Sequence, residues 1–179
     1  MRDVQEFLPL LGPPLRTGGE AELRRLERHW AISLPPDFRA ILAAYGDATW
    51  DNYFQVCGPR TLGFMGEFFE YVVNWGHHIP FDLLPEPDGP LLWGSTVEGD
   101  MLCLEPVGER WRVLIASKVI ADVVRHEMDF SNWLYAALTG HIDTTWLPRI
   151  DTHPLTIDKY GKLPCGVPTG DGPAGAVIL

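Results

Sequence analysis

The hydrophobic positions in the first fifty residues predict two consecutive helices. Over Glu20–Trp30, apolar residues recur at spacings of three and four and charged residues fill the other faces, which is typical of an amphipathic helix. Pro35 and Pro36 end this helix and suit the first turn of a second one, because proline cannot continue a helix but fits its start. The second helix has an apolar face over Phe38–Tyr45, and we expect Gly46 to end it in the left-handed conformation.

Further along, short runs rich in β-branched and aromatic residues alternate with glycines. Because Gly94, Gly99 and Gly108 separate these runs, the pattern predicts a meander of antiparallel strands. The predicted strands are Tyr53–Val56, Leu91–Trp93, Asp100–Leu104, Trp111–Ala116 and a further run within Val119–Arg125. The polar segment Asp47–Asn52, which contains Trp50, is predicted to be a loop.

Three other segments complete the pattern. Leu62–Trp75 is apolar on nearly all sides, which favours a buried helix, although strands could also be built from it. Ile79–Pro90 contains several prolines and is predicted to be a long irregular connection. Beyond Asp129, a fair capping residue, an aromatic stripe predicts a last helix that stops before Gly140.

Together these elements predict an α+β fold, in which an antiparallel meander sheet has its helices packed to one side. We expect three parts of the chain: a lead-in at residues 1–19, an α+β domain at residues 20–140, and a C-terminal extension at residues 141–179. The extension is rich in glycine and proline and has no periodicity, so it is predicted to wrap over the domain or to fray.

The net charge of the chain limits the kinds of molecule that it could bind. The chain has 179 residues, 46% of them hydrophobic, and carries 24 acidic against 14 basic side chains, a net charge of -10. The hydrophobic content excludes full-length disorder, and the acidity argues against nucleic acid, whose phosphates are bound mainly by lysine and arginine. A basic protein remains an attractive partner, since opposite charge speeds encounter; the alternative is that the acidity only maintains solubility.

The sequence also indicates the cellular compartment in which the protein is expected to work. No stretch approaches the ~18 apolar residues of a membrane span, and the first residues lack the order of a secretion signal. The three cysteines, Cys57, Cys103 and Cys165, are too widely spaced for a disulfide framework or a zinc knuckle. We therefore expect a cytoplasmic protein with ordinary thiols and no membrane contact.

Three segments, in this order, carry a resemblance to a known family. In the segment "LERHWAISLPPDFRAILAAYGDATW", the first predicted helix is followed by Leu34-Pro35 and then by Asp37. The second predicted helix ends at Tyr45-Gly46. The segment "LLWGSTVEGDMLCL" has a strand and a turn with Gly99-Asp100, and "DFSNWLYAALTG" is a closing aromatic helix. Over roughly residues 20–140 the chain thus resembles the SUKH superfamily.

That superfamily includes fungal regulators of cell-wall glucan synthesis and many bacterial immunity proteins, which neutralise polymorphic toxins, often nucleases, by binding them. The resemblance therefore implies an α+β domain that binds another protein without catalysis. It further implies a basic toxin domain as the partner, and the acidic balance of this chain agrees with that expectation. Neither the sequence nor the resemblance indicates an oligomeric state.

Candidate metal and catalytic groups are poorly spaced. His77 and His78, with His126, Glu127 and Asp129, have ligand chemistry, but adjacent histidines on an extended chain point to opposite faces. We therefore predict no metal site and no cofactor.

A pair of acids and two cysteines are of residue types that also occur in catalytic sites. In a strand, Glu98 and Asp100 would share one face, as paired acids do in glycosidases, but a solvated turn or capping of backbone amides explains them better. Cys57 and Cys103 lack a local activation signature. We predict no catalytic residues.

The aromatic residues suggest where a partner binds. Seven tryptophans exceed what folding requires, and tryptophan and tyrosine are enriched at interfaces. Trp30, Trp93, Trp111 and Trp133 lie on periodic faces and are predicted to be core, whereas Trp50 lies between acids and is predicted to be exposed. The predicted contact surface consists of Asp47, Trp50, Asp51, Tyr53, Glu98 and Asp100.

The function expected from all of this is stoichiometric neutralisation of a toxin by an immunity protein. Two alternatives stay open at this point. One is a regulatory or scaffolding module that binds a housekeeping protein. The other is a small hydrolase or metal-dependent enzyme that uses Glu98, Asp100 or the histidine pair.

Overall fold

A computed structural model describes residues 1–15, 19–67, 81–84, 86–117, 122–142, 150 and 153–159. The helical elements are a 3₁₀ turn Val4–Phe7, α1 Leu8–Leu11, α2 Glu20–Trp30, α3 Pro36–Tyr45, α4 Pro59–Glu67 and α5 Phe130–Leu138. The strands are β1 Ala48–Trp50, β2 Phe54–Val56, β3 Leu91–Thr96, β4 Met101–Val107, β5 Arg110–Ala116, β6 Val123–His126 and β7 Ile157–Lys159. The predicted bounds of α2 are confirmed, and α3, α5 and β2–β6 are found where the pattern predicts them.

The strands form one antiparallel sheet in the order β6-β5-β4-β3-β2-β1-β7. Every pair from β1 to β6 joins strands that follow each other in the chain, which is the meander that the glycine-separated runs predict. The α+β fold class is therefore confirmed. Because consecutive strands alternate in direction, the β1–β2, β3–β4 and β5–β6 connections lie at one end of the sheet and the β4–β5 turn lies at the other.

One face of the sheet and α5 enclose the aromatic core. The Trp93 ring packs edge-on against Phe130 and Trp133 of α5, with centroids 5.1 and 6.1 Å apart. Two carboxylates fix the start of α5: Asp129 accepts from the Asn132 N–H at 2.8 Å, and Asp37 of α3 accepts from the Ser131 N–H at 2.9 Å. The predicted capping role of Asp129 is thus confirmed, and α3 is tied to α5 through a buried charge-assisted hydrogen bond.

The segment after α3 differs from the prediction. Gly46 has φ -78° and ψ 178°, so it is extended and not left-handed. A glycine is needed there because a Cβ would lie 2.4 Å from the Cα of Gly58. Residues 48–50 of the predicted loop form strand β1, since this close approach brings the chain alongside β2.

Both ends of the described chain pack onto the domain. Phe7 and Leu11 of the lead-in are buried, and Gly12 O accepts from the Tyr45 hydroxyl at 2.8 Å. In the C-terminal extension, Leu155 N–H donates to Leu10 O at 2.8 Å, and β7 pairs with β1 along the edge of the sheet. This part of the extension therefore wraps over the domain. Phe68–Trp75 of the predicted buried helix, the His77-His78 pair and residues 160–179 lie outside the described residues.

Candidate functional site: the hairpin end of the sheet

Two hairpin turns meet at one end of the sheet. Phe54 of β2 pairs with Thr96 of β3, so the β1–β2 turn lies directly beside the β3–β4 turn. The backbone links them, because the Val97 N–H donates to Tyr53 O at 3.0 Å. We call the group of Asp51, Asn52, Tyr53, Val97 and Glu98 the hairpin-end surface.

The side chains of this surface project from a rigid base. Asp51 and Asn52 both have φ of 53°, the left-handed conformation that a tight turn between strands requires and that Asp and Asn tolerate well. They are exposed, as is Glu98, and Val97 has 56% of its area in solvent. Within the described residues, neither Asp51 nor Glu98 forms an ion pair. The surface therefore combines an exposed apolar side chain with unneutralised acids.

Tyr53 lies between the two turns, half-buried. Its ring packs edge-on against Phe54, with centroids 5.0 Å apart. Partial burial raises the pKa of the Tyr53 phenol, and the charges of Glu98 and Asp100 raise it further. The ring is thus held in place, and its hydroxyl lies in a negative potential.

This electrostatic coupling leads to a testable prediction. In Glu98→Gln, the pKa of Tyr53 is expected to fall towards the ordinary value of 10.0, because loss of a nearby negative charge makes the phenolate less costly. The measurement is an NMR titration of the tyrosine Cζ carbons. Glu109→Gln, which removes an exposed acid from the β4–β5 turn at the opposite end of the sheet, serves as the control. An unchanged Tyr53 pKa in Glu98→Gln would contradict the coupling.

Three of the predicted contact residues lie inside the protein. Asp47 is fully buried and accepts hydrogen bonds from the backbone N–H groups of Gly58, Arg60 and Thr61 at 2.9–3.1 Å, so it caps α4. Trp50 is 2% exposed, and its Nε1–H donates to Tyr45 O at 3.0 Å. The prediction that Trp50 is exposed is wrong, since β1 directs its side chain to the core.

Asp100, also predicted as a contact, is 2% exposed. The hydroxyl of Thr96 donates to its carboxylate at 3.1 Å and accepts from its backbone N–H at 3.1 Å. Gly99, with φ 93°, turns the chain between Glu98 and Asp100, so one acid faces solvent and the other is interior. The geometry of paired acids is therefore absent here, and Asp100 stabilises the turn.

The other tryptophans that the structure describes follow the predictions in part. Trp93 and Trp133 are core, each 1% exposed, as predicted. Trp30 and Trp111 are half-buried and pack on the rim of the core, and the Trp111 Nε1–H donates to Ser33 O at 2.8 Å. The pattern missed Val97. The signal available for it was a β-branched residue beside Glu98-Gly99, which is typical of a turn and not of a core.

The candidate metal ligands that the structure describes have other partners. Asp129 caps α5, Glu127 pairs with Arg112, and the His126 ring packs 5.9 Å from the Trp133 ring. Burial lowers the pKa of His126. Among the described residues there is no cluster of three or more side chains able to hold a metal ion.

Both described cysteines are buried, Cys103 completely. Burial raises the pKa of the Cys103 thiol far above its usual range, so the nucleophilic thiolate is suppressed. Cys103 is therefore expected to resist iodoacetamide in the folded protein and to react fully once urea unfolds it. Peptide mass spectrometry resolves this site from the other cysteines. Rapid labelling of folded Cys103 would contradict the structure.

Charge on the outer face of β4–β6 is largely neutralised. Glu105 pairs with Arg112 at 2.6 Å and with Arg125 at 3.0 Å, and Arg112 also pairs with Glu127. Burial alone would raise the pKa of Glu105, but hydrogen bonds from the two arginines outweigh it and lower that pKa. These acids are thus occupied within the protein, in contrast to those of the hairpin-end surface.

Comparisons with models of protein families, with curated proteins and with solved structures found no match to this chain. No helix in the described part of the chain has the length and apolar character needed to cross a membrane.

Proposed function

We propose that this chain is a cytoplasmic immunity protein, which binds a basic toxin domain and blocks it by stoichiometric contact at the hairpin-end surface. The observation that carries the proposal is the juxtaposition of two exposed acids, Asp51 and Glu98, with the exposed Val97 and the fixed ring of Tyr53; neither acid forms an ion pair with a described residue. The order of the three SUKH-like segments supports the toxin as the partner class.

Charge explains the first step of such binding. The chain carries a net charge of -10, and the acids of the hairpin-end surface are not offset by neighbouring described cations. Complementary potentials increase the rate of encounter with a cationic protein and orient it before contact. A nuclease toxin offers such a surface at the site where it binds nucleic acid.

Apolar contact explains the second step. Interface energy concentrates in a few well-packed side chains, with tyrosine among the most frequent. Tyr53 loses little conformational entropy on binding. Its ring already packs against Phe54, and its backbone is fixed by the hydrogen bond from the Val97 N–H. Val97 adds an apolar side chain that gains by leaving water.

The charge step is tested with a double variant. Asp51→Asn/Glu98→Gln is expected to weaken binding to a basic toxin domain encoded beside this chain by about tenfold at low salt, mainly through a slower association rate. Glu86→Gln/Glu109→Gln, which removes two exposed acids away from the hairpin-end surface, is the matched control and should bind normally. Equal binding of both variants, or no binding by the unmodified protein, would remove the proposal's basis.

The contribution of apolar contact is tested with a matched pair of valine variants. Val97→Asn is expected to speed dissociation of the complex, whereas Val107→Asn, at the exposed turn on the opposite end, should not. Surface plasmon resonance separates the two rate constants. The alternative, a regulatory module, gives a different result. Such a module would bind its housekeeping partner and would leave the activity of the toxin unchanged in a parallel nuclease assay.

A further inference from the structure

Part of the C-terminal extension, residues 153–159, crosses the domain as a strap. At its start, the His153 Nε2–H donates to Leu138 O at the end of α5, at 2.9 Å. The Leu155 N–H then donates to Leu10 O of α1, at 2.8 Å. At its end, β7 pairs with β1 and is the last strand of the described sheet. We call residues 153–159 the strap.

The strap also reaches the hairpin-end surface. Thr156 O accepts from the Asp51 N–H at 2.6 Å, at the start of the turn formed by Asp51 and Asn52. Both turn residues have φ of 53°, a conformation that Asp and Asn tolerate but that still costs energy, so the turn depends on the hydrogen bonds around it. The Tyr53 N–H bond to Trp50 O, at 3.0 Å, closes the turn itself. The strap therefore supplies the hydrogen bond that holds the backbone of one proposed contact acid.

Little of the strap is buried. Among its seven residues, all of them described, Leu155 alone is buried, with 5% of its area in solvent, and Ile157 is half-buried. Among the described strands, β7 pairs with β1 alone, so its release leaves the pairing of β1–β6 intact. Segments with few buried apolar contacts open at a lower free energy than the core does. We therefore expect the strap to open while the rest of the domain stays folded.

We propose that the strap is a conformational switch for the hairpin-end surface. When closed, it fixes the backbone of Asp51 and so holds the carboxylate in place for binding; when open, it frees the turn and weakens binding. The effect on binding rests on the proposed function, whereas the coupling of strap and turn does not. Coupling is reciprocal, so a partner that binds the closed state more tightly reduces opening of the strap by the same factor.

Hydrogen exchange of backbone N–H groups tests the coupling without a partner. The full chain is transferred to D₂O and followed by ¹H–¹⁵N NMR. The N–H groups of Asp51 and Leu155 are expected to exchange faster than those of β5, because the strap opens without the domain. Exchange of both groups at the rate of β5 would overturn the proposal, since the strap would then open only when the whole domain unfolds.

A pair of variants links the two ends of the strap. Leu155→Asp places a carboxylate at a position within the apolar core, which favours the open strap, so exchange at Asp51 should become about tenfold faster or more. Leu8→Asp adds the same charge at an exposed leucine of α1 and should leave exchange at Asp51 unchanged. Equal exchange at Asp51 in the two variants would overturn the coupling of strap and turn.

Binding of the proposed partner, a basic toxin domain encoded beside this chain, tests the switch. Leu155→Asp is expected to bind it about tenfold more weakly than Leu8→Asp, although the two variants have the same net charge. Saturating toxin domain should slow exchange at Leu155 of the unmodified protein by a similar factor, a measurement that decides the question even if Leu155→Asp does not fold.

The outcomes separate the switch from the proposed function. Equal binding of the two variants, or unchanged exchange at Leu155 in the complex, would overturn the switch and leave the proposed function standing. Failure of the unmodified protein to bind the toxin domain would overturn the proposed function and with it the effect on binding. Faster exchange at Asp51 in Leu155→Asp would still support the coupling of strap and turn in that case.

Discussion

Asp47→Ala is expected to lower the free energy of unfolding by about 3 kcal/mol more than Asp51→Ala does. The Asp47 carboxylate accepts from the backbone N–H groups of Gly58, Arg60 and Thr61 and from the Thr61 hydroxyl at 2.7 Å. Alanine would leave these donors without an acceptor at a buried helix start, and a buried unpaired donor costs about 1–3 kcal/mol. The measurement is urea unfolding followed by circular dichroism.

Asp51→Ala is a closely matched control. Asp47 and Asp51 have φ of 52° and 53°, so alanine meets the same backbone strain at both positions. Asp51 is exposed, and its carboxylate contributes no such set of hydrogen bonds. Subtracting the two effects therefore isolates the cap. Equal losses of stability would show that Asp47 does not hold α4 in this way.

Gly58→Ala is expected to prevent accumulation of stably folded protein, or to cost about 3 kcal/mol or more if the fold survives. A Cβ at Gly58 would lie 2.3 Å from the Asp47 nitrogen and 2.4 Å from the Gly46 carbonyl carbon. Both are backbone atoms, so no side-chain rotation relieves the clash. Relief requires moving β1 away from the start of α4, which also breaks the hydrogen bonds of Asp47. Soluble yield and melting temperature measure the effect.

Gly63→Ala, within α4, is expected to have the opposite effect. Among the described residues, its Cβ would meet only the Arg25 guanidinium, at 3.5 Å, which is ordinary van der Waals contact. Alanine in a helix interior is favoured over glycine by roughly 0.5–1 kcal/mol. The variant should therefore be slightly more stable than the unmodified protein. Tolerance of alanine at position 58 as well would contradict the close approach of Gly46 and Gly58.

Local pattern predicted most of the regular elements. Helix α2 and strands β3–β5 have periodic or alternating runs bounded by glycine or proline, so their positions follow from the sequence, although β3 and β4 each extend three residues past their predicted ends, to Thr96 and Val107. Strand β1 could not, because it has three residues between Asp47 and Asp51, and its position depends on β2 and β7. Strand β7 belongs to the sheet only through pairing with a strand about a hundred residues earlier, which no local signal encodes.

The candidate site was predictable only in part, and for the same reason. The turn at Glu98–Asp100 follows from its local glycine, and its main side-chain contact, with Thr96, is four residues away. The role of Asp47 depends on donors more than ten residues later in the chain, at the start of α4. Its polar character therefore suggested a surface loop. The same error placed Trp50 in solvent, because its acidic neighbours concealed that its own side chain faces the core.

The most direct test of the account measures whether this protein inhibits by occupying its partner. A fixed amount of the proposed partner, a basic toxin domain encoded beside this chain, is titrated with the protein, and cleavage of nucleic acid is followed. We expect toxin activity to fall in proportion to the protein added and to be lost at a fixed molar ratio, with Asp51→Asn/Glu98→Gln inhibiting more weakly at low salt. Full toxin activity in the presence of excess protein, or inactivation by a small fraction of an equivalent, would contradict it.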